Sequence, residues 1–350
     1  MREIEQLIHI LNEHAPPCFE LPFDDRANVR ALITGASGII GLSIFSFLLS
    51  TKAYKEGRLI IDCTCREPNF FHQVYFSGNR ITLIKANLPD RNYNNFSDQY
   101  DLIMNCAGYG QPGKFLDDFE NIYSINTLVV SDLLKKLKYD GYFLNIGTSE
   151  VYSEASYELS KESSLISINP NNIRNNYILA KLAAESILNK YSSENPCART
   201  LSARVALAYG PGAKSGDTRV IYQFFKQAAL NNKIQLLDDG SAVRTYIFVS
   251  DCVKLFLSAL FDRKTSPRVM NVAGNKQVTI LELAEKIANL YHAVVFKGPI
   301  SKGLKDAPLE VKLDTKISEF YQNESLISID DGLLFVKKWI DSELKYENIR

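Results

Sequence analysis

Thr34-Gly35-Ala36-Ser37-Gly38-Ile39-Ile40-Gly41 follows the apolar run Ala31, Leu32, Ile33 and leads into a helical-looking stretch at 42–49. A strand, a glycine-punctuated turn and a helix in that order form an anion cradle. Gly35 permits the tight turn, Gly38 lets backbone approach a pyrophosphate, and Gly41 lets the helix pack close to the strand, with N–H donors at the helix start. Glycines alone would mean only a turn. Their place between an apolar run and a helix points to a bound dinucleotide.

Outward from this turn the pattern repeats. Apolar, β-branched runs at 58–64, 80–85, 100–106 and 141–146 read as strands, and 119–138, with Ile122, Ile125, Val129, Leu133, Leu134 and Leu137 at helical period, reads as a helix. Further helices are expected at 174–191, 220–230, 249–261, 280–291 and around Trp339, with strands at 201–207 and 269–273. Alternation of this kind predicts an α/β fold with a doubly wound parallel sheet of Rossmann type, joined to a smaller, interleaved C-terminal α/β domain for substrate. The expected divisions are a helical extension at 1–28, a dinucleotide-binding domain at 29–206, and a mainly substrate-binding domain at 207–350. Parts near 241–275 are expected to return to the first core.

Composition narrows the partners. Forty basic and forty acidic residues cancel, so no general affinity for nucleic acid or an anionic membrane is expected. Six cysteines without a CxxC pair and four scattered histidines fit neither a zinc site nor a disulfide framework. Cys63 and Cys65 read as reduced, buried residues, which implies a reducing, cytosolic compartment. Residues 1–28 place Ile4, Leu7, Ile8 and Leu11 at helical spacing before Pro16 and Pro17; acidic and short in its apolar stretch, this segment is expected to dock on the main domain rather than to act as a signal or a membrane span.

For chemistry, a tyrosine and a lysine four apart on a helix share one face, where an ammonium can favour a phenolate base. The spacing occurs at Tyr157 with Lys161, Tyr177 with Lys181, and Tyr222 with Lys226. Tyr157 lies in a polar, loop-like stretch, and Tyr222 sits beside Phe224 and Phe225 in what reads as a packing helix. Tyr177 follows the strand end Gly147, Thr148, Ser149, Glu150 by about thirty residues, which lets strand-end hydroxyls meet the helix. Context therefore selects Tyr177 and Lys181.

From Arg30 onward the chain resembles the extended short-chain dehydrogenase/reductases that modify nucleotide sugars. The resemblance rests on TGASGIIG at 34–41, NCAG at 105–108, INT at 125–127, TSEVY at 148–152, NP at 169–170, YILAK at 177–181, YGPG at 209–212 and GSAVRTYIFVSD at 240–251. It implies that Tyr177 deprotonates a sugar hydroxyl, usually at C4, that Lys181 binds the nicotinamide ribose and tunes Tyr177, and that Thr148 and Ser149 hydrogen-bond the reacting hydroxyl. It implies cofactor contacts from Gly35, Ser37, Gly38, Ile39, Ile40, Gly41, Arg66, Asn87, Leu88, Ala107, Gly108 and Asn126 besides Tyr177 and Lys181. Arg174, Arg219 and Arg244 are the implied substrate ligands, with guanidinium groups suited to diphosphate or sugar.

The resemblance also sorts reactions. Dehydratases of the family carry an aspartic acid where Ser149 stands, and epimerases usually carry a small residue in place of Glu150. Decarboxylases of UDP-glucuronate resemble Thr148, Ser149, Glu150, Asn169, Pro170, Arg174 and Tyr177, so a nucleotide-sugar decarboxylase acting through C4 oxidation is the leading expectation. A 4-epimerase, 4-ketoreductase or 4,6-dehydratase is the alternative, and a dinucleotide-sensing or scaffold protein the non-enzymatic one. Leu207 replaces the family's usual asparagine, Asn87 an expected acid, and Ser153 a common glycine, which leaves a different sugar open. NAD is the expected cofactor, but Arg66 just beyond the second strand allows NADP. The resemblance further implies a homodimer, built through the helices at 122–137 and 177–188.

Overall fold

The computed structural model describes residues 21–23, 26–66, 80–108, 118–154, 159–214, 216–262, 264–265, 267–299, 311–321 and 325–347. The helix expected near the N-terminus and Tyr157 lie outside the described residues. In chain order the elements are β1 Val29–Thr34, α1 Ile39–Ser50, α2 Lys52–Lys55, β2 Leu59–Cys65, β3 Ile81–Lys85, β4 Tyr100–Asn105, α3 Phe119–Asn126, α4 Leu128–Lys135, β5 Leu137–Ile146 and α5 Asn175–Glu194. They continue as β6 Arg199–Val205, β7 Leu207–Tyr209, α6 Val220–Asn231, β8 Lys233–Gln235, β9 Val243–Phe248, α7 Val249–Phe261, β10 Val269–Val272, β11 Gln277–Thr279, α8 Ile280–Tyr291, β12 Val294–Phe296, α9 Lys316–Phe320 and α10 Ile329–Glu347.

Seven strands form one sheet in the order β10-β6-β5-β4-β1-β2-β3. Every neighbouring pair is parallel. The strands are nearly continuous apolar runs because helices cover both faces, as a parallel sheet requires. The order reverses between β1 and β4, so the carboxyl ends of these two strands open the crevice in which ligands of such sheets bind. This is a Rossmann-like doubly wound fold. Helix α1 is apolar on nearly every side and correspondingly buried, packing against β1 and against α7 beside it. At the opposite end of the strands, the buried carboxylate of Asp101 accepts from Arg26 Nη1 at 2.6 Å, Lys138 Nζ at 2.8 Å and the Arg30 backbone N–H at 2.9 Å. That pairing offsets the cost of burying the charge.

Three expectations about elements change. The helix expected over 119–138 is two helices, α3 and α4, because Thr127 leaves the helical region (φ −124°, ψ −75°) while its hydroxyl donates to the Tyr123 carbonyl at 2.6 Å. Leu137 belongs to β5, opposite Tyr100, and the register then shifts before Leu102 meets Tyr142. Gly141 occupies that irregularity; a Cβ there would lie 2.8 Å from the Leu137 side chain and 3.0 Å from the Lys138 carbonyl oxygen. The strand expected over 201–207 divides at Ala206, where the chain leaves the large sheet and β7 joins β9 and β11 in a three-stranded sheet.

The sequence expected parts of 241–275 to return to the first core. Strand β9 stays in the small sheet, whereas α7 packs on α1 and β6, and β10 pairs with β6 at the edge of the large sheet. The apolar stripe Ile122, Ile125, Val129, Leu133 and Leu134 is buried within this single chain. Phe119 and Leu128 are the large apolar side chains these two helices leave about half exposed. Among the described residues no helix is long and apolar enough to cross a membrane.

Candidate active site

The turn after β1 is shaped by clashes that only glycine avoids. Gly35 adopts φ +62°, and a Cβ there would lie 2.8 Å from Ala107 Cα. At Gly41 a Cβ would lie 2.5 Å from the Gly35 carbonyl oxygen. Gly38 begins α1 with no side-chain cap and no acid in the first turn, so the helix presents uncapped N–H groups and an unneutralised positive dipole end. Next to it, Thr34 Oγ1 donates to Asn105 Oδ1 at 2.8 Å and accepts from the Ala107 N–H at 3.1 Å. Asn105 Nδ2 donates to Asn145 Oδ1 at 2.9 Å, and Asn145 Nδ2 to Ser202 Oγ at 3.4 Å. This buried polar rail ties the carboxyl ends of β1, β4, β5 and β6 together beneath the crevice.

Above the rail opens a cavity of about 530 Å³. Gly35, Ser37, Gly38, Ile39, Ile40, Gly41, Arg66, Asn87, Leu88, Ala107, Gly108, Tyr177 and Lys181 all line it. Asn126 does not: it is buried and donates to the Ile122 carbonyl of its own helix at 2.8 Å, while Ile125 faces the cavity instead. Cavity size, glycine cradle and uncapped helix end together fit a dinucleotide, with the pyrophosphate against the start of α1. Lys214, Asp217 and the thiol of Cys106 also line the cavity and were not singled out in the sequence. YGPG at 209–212 directly precedes Lys214, and that proximity was the available signal.

Tyr177 and Lys181 project from α5 at the far end. Lys181 Nζ donates to the Ile146 carbonyl at 2.8 Å and lies 5.9 Å from the Tyr177 ring centroid. Burial lowers the Lys181 ammonium to about 8, against the pull of Cys106 and Glu185. The Tyr177 phenol is pushed up, first by burial and then by the Glu150 carboxylate, while a hydrogen bond with Thr148 opposes the rise. Desolvation dominates the phenol, and the Lys181 ammonium directs its proton at the Ile146 carbonyl. The phenol thus starts protonated, able to donate to a keto oxygen, and needs further positive charge beside it to act as a base.

Helix α5 is fastened by an internal network. Arg204 on β6 makes a bidentate pair with Glu185, Nε to Oε1 at 3.0 Å and Nη2 to Oε2 at 2.7 Å. Its Nη1 donates to the Tyr152 hydroxyl at 2.6 Å, which donates to Asn271 Oδ1 on β10 at 2.9 Å. Tyr152 ends the short 3-10 turn Ser149–Tyr152, which Thr148 caps by accepting from the Glu150 N–H at 3.2 Å. Helix α5 and the Thr148-Ser149-Glu150 turn are therefore held in one buried frame.

Glu150 leads outward to cations. Arg174 Nη2 approaches its Oε2 at 3.9 Å. Burial raises the Glu150 carboxyl, and the charges of Arg174 and Arg244 oppose the rise. Arg219 stands apart from this trio: it lines the cavity, donates through Nε and Nη2 to Asp217 at 3.0 and 2.6 Å, and stacks 4.8 Å over the Tyr222 ring centroid. Tyr246, buried, feels both Arg244 and Arg219 and so lies between the two groups. Tyr222 is structural as its context suggested, its hydroxyl donating to the Gly210 carbonyl at 2.8 Å. Leu207 is 40% exposed, so its side chain faces outward rather than filling the core. Cys63 and Cys65 are free and buried. Asp62 is buried in mid-strand, accepting from the Tyr100 hydroxyl at 2.8 Å.

Comparison with known proteins places these features among relatives. The profile of the NAD dependent epimerase/dehydratase family matches residues 31–273. The chain is 25% identical over 321 residues to UDP-N-acetyl-alpha-D-glucosaminuronate decarboxylase of Bacillus cytotoxicus, covering 89% of this chain and 97% of that one. It is 28% identical over 271 residues to dTDP-4-dehydro-6-deoxy-D-allose reductase of a Streptomyces species, covering 75% and 81%. Among solved structures it is similar to UDP-glucuronic acid 4-epimerase of Bacillus cereus in complex with UDP-glucuronic acid and NAD, with a TM-score of 0.72, 22% identity, and coverage of 90% and 100%.

Proposed function

From a chain that belongs to the NAD dependent epimerase/dehydratase family, and thus to the nucleotide-sugar-modifying enzymes that use a nicotinamide dinucleotide, we propose a decarboxylase of a nucleotide-linked uronic acid, with UDP-glucuronate as the first substrate to try. The observation that carries this reading is the placement of Arg174 and Arg244 around Glu150, with Glu150 acting electrostatically on Tyr177. Two guanidiniums facing one carboxyl leave an excess positive charge beside Glu150. A substrate carboxylate held there would sit beside the carbon whose hydroxyl Tyr177 addresses.

The bound dinucleotide supplies the hydride acceptor, and later the donor, at sugar C4. Tyr177, having released its own proton to solvent under the positive charge that an oxidised nicotinamide would bring beside it, takes the C4 hydroxyl proton as the C4–H bond breaks, with Thr148 orienting the phenol. The ketone formed is β to the carboxylate. The C5–C6 bond then breaks, carbon dioxide leaves, and the electron pair moves to the C4 oxygen as an enolate that Tyr177 or Lys181 stabilises by hydrogen bonding. A proton from solvent takes the place of the lost carboxyl at C5, and reduction at C4 with protonation by Tyr177 completes a pentose. Ser149, from the same turn, would hydrogen-bond the reacting oxygen. A homodimer through the face bearing Phe119 and Leu128 is part of the proposal.

Incubating the full-length protein with UDP-glucuronate and a nicotinamide dinucleotide, then following the products by mass spectrometry, tests the reading. A UDP-pentose with stoichiometric carbon dioxide is expected. An unchanged mass with an inverted C4 would make the enzyme an epimerase. Absence of any turnover across a panel of nucleotide uronates would remove decarboxylation.

A further inference from the structure

Arg66 and Lys214 reach the same end of the cavity from different parts of the chain. Arg66 directly follows β2, and Lys214 lies in the loop after β7 with its Nζ 3.2 Å from Ser37 Oγ in the glycine turn. Both line the cavity wall. Lys214 is also near enough to the end of β2 for its charge to act on Cys65, the last residue of that strand.

In a sheet of this order the half of the dinucleotide held by the glycine turn lies over β1 and β2, so the residue just past β2 faces the adenosine ribose. An acid there accepts the 2′-hydroxyl, whereas an arginine accommodates a 2′-phosphate. Among the described residues the acids near this position are committed elsewhere; Glu67, next in the sequence, lies outside them. Asp62 is buried within β2 and accepts from Tyr100. Asp217 is the one carboxylate among the described cavity-lining residues, and it is engaged bidentately by Arg219. Asn87, beyond β3, donates through Nδ2 to Asp90 at 2.7 Å. A guanidinium, an ammonium and a hydroxyl thus converge where an acid would be needed to favour the unphosphorylated ribose.

We propose that Arg66, Lys214 and Ser37 form a 2′-phosphate subsite, and that the protein binds the 2′-phosphorylated nicotinamide dinucleotide in preference to the unphosphorylated one. The inference rests on reading the cavity as a dinucleotide site, and goes beyond it by choosing between two forms of the ligand. Planar Arg66 can bind two phosphate oxygens at once, while Lys214, now spent on Ser37, supplies a mobile second charge.

Isothermal titration calorimetry of the full chain at fixed ionic strength, with NADP⁺ and NAD⁺ in separate titrations, tests this without any turnover. NADP⁺ is expected to bind at least about tenfold more tightly, as one or two charge-assisted hydrogen bonds would give. 2′-Phospho-ADP-ribose should show the same advantage over ADP-ribose. Arg66→Ala and Lys214→Ala should each weaken NADP⁺ about tenfold and NAD⁺ by less than about threefold, and Arg66→Asp should reverse the order of the two dinucleotides. Equal or tighter binding of NAD⁺ by the unaltered protein would overturn the subsite and leave the dinucleotide cavity standing. Equal loss of both ligands in Lys214→Ala would overturn it too, moving that lysine to the pyrophosphate. Binding of neither dinucleotide would overturn both readings.

Discussion

The two ends of the cavity are made of different materials. At the β1 end the surface is backbone: the Gly35 turn, the uncapped start of α1 and the close approach at Gly41, all within eight consecutive residues. At the Tyr177 end it is side chain: Tyr177 and Lys181 line the cavity, Thr148 and Glu150 act on Tyr177 from the neighbouring turn, and Arg174 and Arg244 act on Glu150 from further elements. A backbone-made site depends on steric room and is insensitive to which side chains surround it. A side-chain-made site can change its chemistry by a single substitution while the fold is kept. The relatives reflect this contrast, sharing the fold and differing in reaction.

The severest way to break the comparison is at the backbone end. Gly41→Ala puts a Cβ 2.5 Å from the Gly35 carbonyl oxygen and 2.9 Å from Ala36 Cα, neither of which is a flexible side-chain tip. The variant should lose measurable dinucleotide binding and melt several degrees lower, an overpacking cost of about 1–3 kcal/mol. A dinucleotide titration and a melting curve check it, and binding like that of the unaltered protein would show that the turn is not rigid.

Tyr177→Phe acts at the other end alone. Turnover should fall by about 10²–10⁴, as loss of general acid–base catalysis does, with dinucleotide affinity changed less than about threefold. Steady-state kinetics beside calorimetry separates the two quantities. Retained turnover would take Tyr177 out of the mechanism.

Lys181, beside Tyr177, gives the smallest effect. Its ammonium titrates at about 8 in the fold and near 10.5 in the unfolded chain. Below pH 8 both states carry the proton and the buried charge costs stability; between about 8 and 10.5 the folded state releases it first, so stability from this residue rises with pH and is lost again as pH falls through 8. The advantage of Lys181→Met over the unaltered protein should therefore shrink across that window, by on the order of 2 kcal/mol. A difference in melting temperature independent of pH from 7 to 10.5 would show that the lysine is not desolvated.

What was legible in the sequence follows the same division. The glycine turn could be read because its geometry is local, and the strands of the large sheet because burial on both faces makes them continuous apolar runs. Strand β9 escaped notice as a strand because its first half is only partly buried and its partners, β7 and β11, are three residues each. The break at Thr127 was hidden under an unbroken helical period, since a hydroxyl turning back on Tyr123 leaves the apolar spacing intact. Tyr177 and Lys181 could be located by spacing and context, yet their electrostatics could not, because spacing carries no information on burial. Lys214 meets Ser37 across 177 positions of sequence, a juxtaposition that exists only after the chain has folded.

The pairing of β10 with β6 also governs the order in which the protein can be completed. When residue 206 has left the ribosome, β6 still has an open edge and Arg204 lacks the Asn271 end of its network, because both are supplied from beyond Val269. The first six strands of the large sheet therefore wait through the synthesis of the small sheet before their last partner arrives. During that interval the exposed β6 edge is available to other chains, and a fragment ended at 206 would keep it permanently.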